Sequence, residues 1–395
     1  MDYIFSNKIS SLQPSAIREI LKATADPNII PLAAGNPAPD AFPVEQVQRL
    51  ARDILDTRPI DALQYGVSEG YQPLRDTVSA WMKEREGIGR EFDNVLIVSG
   101  ATQVMDLTTK VLCNEGDVVV CEEPSFIGSL NCFRSYGCKL KGVPVEADGM
   151  SVDALERVLD ETENVRFIYT IPNFQNPSGA TMSLDKRKRL YELAKKHNVI
   201  ILEDNPYGDL RVSGKPLPTI KSLDTDGIVI YAGSFSKILA PGLRVAYCIA
   251  PQEIIAKMTV GKQASDVHTP CLNQMIVDEW FKRYDVDAHI TKIQDIYRSK
   301  LELMCNCIDK ELAGFVEYVK PEGGLFIWCR LPDNVDMLEF VKKAVERKVA
   351  VVPGNAFLIN DTDKTQYIRL NFSTPSDDGI IKGIKALGEI AKEYL

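Results

Sequence analysis

The chain has 395 residues, 45% of them hydrophobic and 26% charged. That is the balance of a soluble globular protein, and the chain is too long for one ordinary core, so a large and a small domain are expected. The formal net charge of −9 argues against nucleic acid or an anionic membrane as the main partner, and no apolar run approaches the roughly 20 residues that span a bilayer.

Short apolar runs alternate with longer amphipathic segments, the sign of a mostly parallel sheet covered by helices. Seven strands are expected at 95–98, 118–121, 139–143, 167–170, 199–202, 228–231 and 244–249. They build one large domain over 45–285, with a covering helix at 185–197 whose inner face is Leu190, Leu193 and Ala194. A helix over 285–312, with Ile290, Ile293, Ile296, Tyr297, Leu301 and Met304 at helical spacing, leads into a smaller α+β domain, 286–395. There, strands at 315–319, 324–330, 350–352 and 367–371 interleave with helices at 337–347 and 377–394. The first 44 residues hold a short helix (14–24) and the turn Gly35-Asn36-Pro37-Ala38-Pro39, expected to pack on the small domain or across the cleft.

The N-terminus lacks a basic region followed by a long apolar one, so no signal peptide is read there. The nine cysteines are scattered, odd in number and mostly set in apolar runs, which fits reduced core thiols in a cytoplasmic protein. Neither Cys305-x-Cys307 nor the three histidines have metal-ligand company, so no metal is expected.

Chemistry concentrates in Gly233-Ser234-Phe235-Ser236-Lys237, followed by Pro241-Gly242-Leu243-Arg244. A lysine amine at a strand end can form a Schiff base with an aldehyde, while Ser234, Ser236 and Arg244 can bind a phosphate dianion. Together they point to pyridoxal 5′-phosphate (PLP). Five further segments fit. In Ser99-Gly100-Ala101-Thr102-Gln103, backbone amides at a helix start, with the Thr102 hydroxyl, make an anion site, although a plain strand–turn–helix joint reads the same way. In Glu203-Asp204-Asn205-Pro206-Tyr207, a strand-end carboxylate can pair with a protonated pyridine nitrogen and make the ring an electron sink. Strand alternation sends Glu203 and Asp204 to opposite faces, and Asp204 is the better candidate; a helix-capping acid is the alternative. Tyr207 can reach the ring's 3′-oxygen. Asn176, held before Pro177, can aim its amide at that oxygen and at a substrate carboxylate. Arg369, on a short strand, has the planar fork that captures an α-carboxylate, unless it is a surface arginine on an edge. Phe126 can lie on the ring as a stacking plate.

The order of these segments, with Leu63-Gln64-Tyr65-Gly66 and Pro321-Glu322-Gly323-Gly324-Leu325-Phe326-Ile327-Trp328, resembles the class I/II PLP-dependent aminotransferases of fold type I over nearly the whole chain. Within that superfamily it looks like the 2-aminoadipate and kynurenine aminotransferase branch, some of which accept aromatic amino acids. The resemblance implies a ping-pong transaminase moving the amino group of an L-amino acid to 2-oxoglutarate, with Lys237 as proton shuttle. It also implies a homodimer in which Tyr65 reaches the neighbouring subunit's phosphate. Gly35 is placed at the substrate, and Arg18, on the N-terminal helix, either pairs with a distal substrate carboxylate or is simply solvated. The chain departs from the branch in carrying Phe126 where tyrosine is frequent, and Ala101-Thr102 where Ser-Gln is frequent. Two competing functions stand beside transamination: β-elimination by a C–S lyase, and a ligand-sensing module of a transcription regulator.

Overall fold

A computed structural model describes residues 3–10, 12, 26 and 28–394. After a two-residue strand β1 (Ile30–Pro31), the strands of the large sheet are β2 (Asp93–Val98), β3 (Val118–Glu123), β4 (Lys139–Glu146), β5 (Gly149–Met150), β6 (Val165–Thr170), β7 (Ile200–Asp204), β8 (Val229–Ser234) and β9 (Ala246–Pro251). Their order across the sheet is β2-β9-β8-β7-β6-β3-β4-β5. Neighbours from β4 to β8 run parallel, while β9 is antiparallel to both β8 and β2. All seven expected strands are present. The sheet nonetheless counts eight, because β5 folds back on the end of β4 as a hairpin of two residues (Val145↔Met150), too short to leave a periodic signal.

Alternation along each strand divides its side chains between two apolar layers. Phe167, Tyr169 and Leu202 join one core, with the helices Ala101–Leu112 and Ile127–Ser135; Ile168 and Ile201 join the other, with the helices Val152–Glu161 and Leu184–His197. Both sheet faces are thereby covered, as a parallel sheet requires. The helix Leu184–His197 buries Leu190, Leu193 and Ala194, as its pattern predicts, and stops at Asn198, whose φ of 53° is left-handed.

The 26-residue helix Val286–Glu311 is capped at its start by the Asp285 carboxylate, which accepts from the Ala288 N–H. It buries Ile290, Ile293, Tyr297, Leu301 and Met304 and leaves Ile296 half-buried. Beyond it lie β10 (Glu317–Tyr318), β11 (Phe326–Arg330), β12 (Val349–Ala350), β13 (Val352–Pro353) and β14 (Tyr367–Asn371). Four of these form an antiparallel sheet in the order β10-β11-β14-β13. The single strand expected at 350–352 is two: β12 pairs in parallel with β1, and β13 pairs with β14. The N-terminal segment is therefore stitched to this smaller sheet, and the Asn371 N–H donates to the Leu32 carbonyl at 2.7 Å. Among the described residues no helix is long and apolar enough to cross a membrane.

Candidate active site

The carboxyl ends of β3, β6, β7 and β8 open on one side of the sheet, where open α/β folds place ligands. The segments that follow them, together with the start of the helix Ala101–Leu112, enclose a cavity of about 170 Å³. Its walls include Ala101, Thr102, Phe126, Asn176, Asp204, Tyr207, Ser234, Ser236, Lys237 and Arg244. Ten residues chosen from six separate stretches of sequence thus meet in one place.

Lys237 Nζ donates to the Gly35 carbonyl at 2.8 Å, which brings the N-terminal turn to the cavity. The site is lean here: a Cβ on Gly35 would crowd the Phe326 ring at 3.1 Å. Burial, with the nearby positive charges of Arg369 and Arg244, lowers the Lys237 amine to about 8.

Asp204 and Glu203 do face opposite ways. Glu203 accepts the backbone N–H groups of Ile220 (2.9 Å) and Lys221 (2.7 Å), so it tethers the start of the helix Ile220–Leu223. Asp204 turns to the cavity. Its Oδ2 accepts the Tyr169 hydroxyl at 2.8 Å, while Oδ1 is buried with no hydrogen-bond partner among the described residues. Burial raises the carboxyl to about 7, and the Tyr169 hydrogen bond only partly opposes that rise.

Arg369 reaches in from β14. Nη1 donates to Asn176 Oδ1 and Nη2 to the Ala33 carbonyl, both at 2.8 Å, and buried Nε has no partner among the described residues. Its guanidinium lies over the rings of Phe326 (4.0 Å) and Phe357 (4.9 Å), and burial lowers it to about 10, so it stays charged at neutral pH. Burial also pushes the Tyr207 hydroxyl upward, and its ring meets Phe326 edge-on at 5.9 Å.

At the opposite end stands the start of the helix Ala101–Leu112. Gly100, at φ 96°, precedes it without a side-chain cap and there is no acidic residue in its first turn. The Arg244 guanidinium crosses directly over Gly100, where any Cβ would collide with it, and Nη2 donates to the Ser99 carbonyl at 3.2 Å. Ser234 and Ser236 are buried beside it, with the Ser236 N–H donating to Ser234 Oγ at 3.2 Å. These groups leave helix amides, hydroxyls and a cation facing one point, which is an anion site.

One expected residue is elsewhere. Tyr65 is 82% exposed, meets only the edge of His268 at 5.8 Å, and takes no part in lining its own chain's cavity. Arg18 and the helix expected over 14–24 lie outside the described residues.

Several supporting residues escape motif reading. Ser129 and Tyr169 sit behind Asp204. Buried Arg187 donates to Asn173 Oδ1 at 2.7 Å, and Asn173 donates to Asn205 at 2.9 Å, tying the loop after β6 to the loop after β7. Buried Lys262 binds Gln103, Asp266 and Thr269, and Asp266 accepts the Ser99 hydroxyl at 2.7 Å, which anchors the loop at the helix start. Strand alternation does place Tyr169 on the Asp204 face; nothing in the sequence pairs Arg187 or Lys262 with its partners.

A larger crevice of about 860 Å³ opens between the β4–β5 hairpin and the small sheet, bordered by Asp148, Trp328 and Tyr367, but neither Lys237 nor Asp204 borders it.

Residues 27–387 match the family described as aminotransferase class I and II. The chain is 40% identical to aromatic-amino-acid aminotransferase 1 of Thermococcus litoralis, covering 100% of this chain and 96% of that protein. It is 39% identical to the 2-aminoadipate transaminase of Thermus thermophilus, covering 99% and 97%. Among solved structures, a kynurenine aminotransferase of Pyrococcus horikoshii, in complex with PMP and with kynurenine as substrate, superposes with a TM-score of 0.95 at 39% identity, over 99% of this chain and 97% of that one.

Proposed function

The chain belongs to the class I and II aminotransferases, and we propose that Lys237 is its catalytic amine, with Asp204, Asn176 and Arg369 ordering cofactor and substrate around it. The protein is a transaminase of fold type I, and its cofactor is pyridoxal 5′-phosphate. The observation that carries the assignment of residues is a pair: Lys237 and the unpartnered Asp204 Oδ1 border one cavity whose other end is an anion site.

The residues fit this cofactor. A buried carboxylate oxygen without a donor is costly, and a cationic ring nitrogen is the partner that relieves it. The helix start at Ala101 and Thr102, the hydroxyls of Ser234 and Ser236, and Arg244 offer the donors a phosphate dianion takes. Phe126 borders the same cavity as an apolar plate, and Tyr207 and Asn176 lie within reach of each other between the two ends. When bound, the cofactor supplies an aldehyde that carries the amino group and a ring that draws electron density from the substrate's Cα.

The chain's own residues do the rest. With its amine lowered to about 8, Lys237 is about one-tenth neutral at pH 7, against roughly one part in three thousand for an ordinary lysine. Nζ can thus accept the proton from Cα and return it, as general base and then acid. Arg369 binds the α-carboxylate through the N–H groups that Asn176 and Ala33 leave free, and the Phe326 and Phe357 rings keep its plane fixed. Gly35, whose carbonyl accepts from Lys237, leaves room where a side chain would intrude.

The amino donor we assign is an aromatic amino acid or 2-aminoadipate, with 2-oxoglutarate as acceptor in a ping-pong cycle; the named relatives support this choice. The active unit is a homodimer in which Tyr65 completes the partner's anion site. Ile60, Leu63, Tyr65 and Val67 form an exposed apolar run beside it, the sort of surface that association covers. We place the enzyme in the cytoplasm and divide it near residues 45 and 285 into an N-terminal arm, a large cofactor-binding unit and a small unit that carries Arg369.

A screen of amino donors against 2-oxoglutarate tests the reading. Glutamate formation with aromatic donors or 2-aminoadipate is expected. Release of pyruvate and ammonia from cystathionine without any oxo-acid acceptor, with no glutamate formed, contradicts it in favour of a C–S lyase.

A further inference from the structure

Behind the cavity, a chain of hydroxyls runs out of the apolar core into Asp204. Ser129 Oγ donates to the Tyr169 hydroxyl at 2.9 Å, and that hydroxyl donates to Asp204 Oδ2 at 2.8 Å. All three residues are buried, and each comes from a different element: Ser129 from the helix Ile127–Ser135, Tyr169 from β6, Asp204 from the end of β7. The direction of the chain is fixed by chemistry. An ionised carboxylate can only accept, so the single phenolic proton goes to Asp204, and the phenolic oxygen then takes the Ser129 proton.

We propose that Tyr169, backed by Ser129, is a positioning residue for the transamination site: it fixes the Asp204 carboxyl with Oδ2 engaged and Oδ1 turned into the cavity toward the cofactor's ring nitrogen. This rests on the reading of Asp204 given above. Three observations support it. Among the described residues Asp204 Oδ1 has no partner while Oδ2 has one, so the carboxylate presents one defined oxygen rather than rotating between two. Tyr169 supplies the one hydrogen bond that opposes the burial of Asp204, and burial holds the phenol itself far above its ordinary range, so it remains a donor. The other titratable groups facing Asp204 are Glu122 on β3 and Tyr207; Glu122 already has Thr170, Ile171 and Gln175 as donors and gives Asp204 none. Without Tyr169, the carboxylate would sit buried with no donor and would protonate before the ring nitrogen could be held charged.

Tyr169→Phe isolates the hydroxyl, since the ring's edge contact with Phe133 (5.3 Å) is retained. Three quantities are measured: the Asp204 titration in apoenzyme carrying carboxyl-labelled aspartate, its signal identified by loss in Asp204→Asn; PLP affinity; and the split between kcat and KM. In Tyr169→Phe, Asp204 is expected to titrate about one pH unit higher, PLP to bind about tenfold more weakly, and kcat to fall while KM for the donor holds. Ser129→Ala should move the same quantities the same way by less, and it carries the test if Tyr169→Phe does not fold. An Asp204 titration unmoved in both variants overturns the positioning role. Undiminished PLP affinity in Asp204→Asn overturns the reading of Asp204 on which it rests.

Discussion

The two ends of the cavity are built in different ways. At the Asp204 end every group is buried, comes from the sheet and its covering helices, and is held by hydrogen bonds within one chain. At the Arg244 end the cation is exposed, and Tyr65, the residue expected to finish the anion site, does not line its own chain's cavity and has 82% of its surface open. On the proposed dimer reading, the electronic half of the chemistry is preorganised by the fold of a single chain, whereas the phosphate half awaits a second copy. A low-dielectric end rewards fixed partners, and an anion can be gripped by groups that assemble late.

Substitutions at each end test that contrast. The largest effect is expected from Asp204→Asn. Breaking one side of a buried ion pair costs about 3–5 kcal/mol, so cofactor-dependent activity should fall about 150- to 5000-fold. The apoenzyme should respond in the opposite sense. The Asp204 carboxyl titrates at about 7 when folded, against 3.8 as its ordinary value. Between those pH values the folded state binds more protons, so this group's contribution to stability falls as pH rises through the window and stays lost above it. Asp204→Asn removes that loss, and its apo melting temperature should exceed wild type at pH 8 and converge with it toward pH 4. Parallel melting curves at both pH values would contradict the buried, unrelieved carboxylate.

Arg369→Lys comes next. Lysine keeps the charge but loses the fork and the stacking between Phe326 and Phe357. Loss of a hydrogen bond to a charged group, about 1.5–3 kcal/mol, should appear as a 10- to 100-fold rise in KM for every donor alike. A selective rise for acidic donors alone would place Arg369 at the substrate's side chain instead.

Tyr65→Phe should have the smallest effect, about tenfold in PLP affinity for one hydrogen bond to a charged group. Its value lies in mixing. Adding inactive Lys237→Ala chains to Tyr65→Phe chains creates hybrid dimers with one fully native site, and tight PLP binding with turnover should return. No recovery on mixing would mean that Tyr65 serves its own chain or none, and the two ends of the cavity would not differ as described.

The same contrast governs what could be read from sequence. Loop motifs at strand ends (Asp204-Asn205-Pro206-Tyr207, Ser234 to Lys237, Asn176-Pro177) carry their chemistry in short spans, so their convergence follows once a parallel sheet is recognised. Glu203 and Asp204 separate by simple alternation, and the structure gives each the face expected of it. Non-local pairings leave no such trace. The strand at 350–352 divides because β1, more than 300 residues earlier in the chain, claims half of it. Tyr169 looks like any core aromatic until its hydroxyl is seen against Asp204, and buried Arg187 and Lys262 look like solvated helix cations until their loops fold over them.

The other proposed roles depend on Lys237 being the amine that meets the cofactor. Hydride reduction of the PLP-loaded enzyme, followed by proteolysis and mass mapping, fixes the cofactor to the lysine it had joined. The phosphopyridoxyl group should be found on the peptide containing Ser234-Phe235-Ser236-Lys237, and on no other. Its recovery on Lys262, Lys221 or any surface lysine, with Lys237 unmodified, would contradict the assignment.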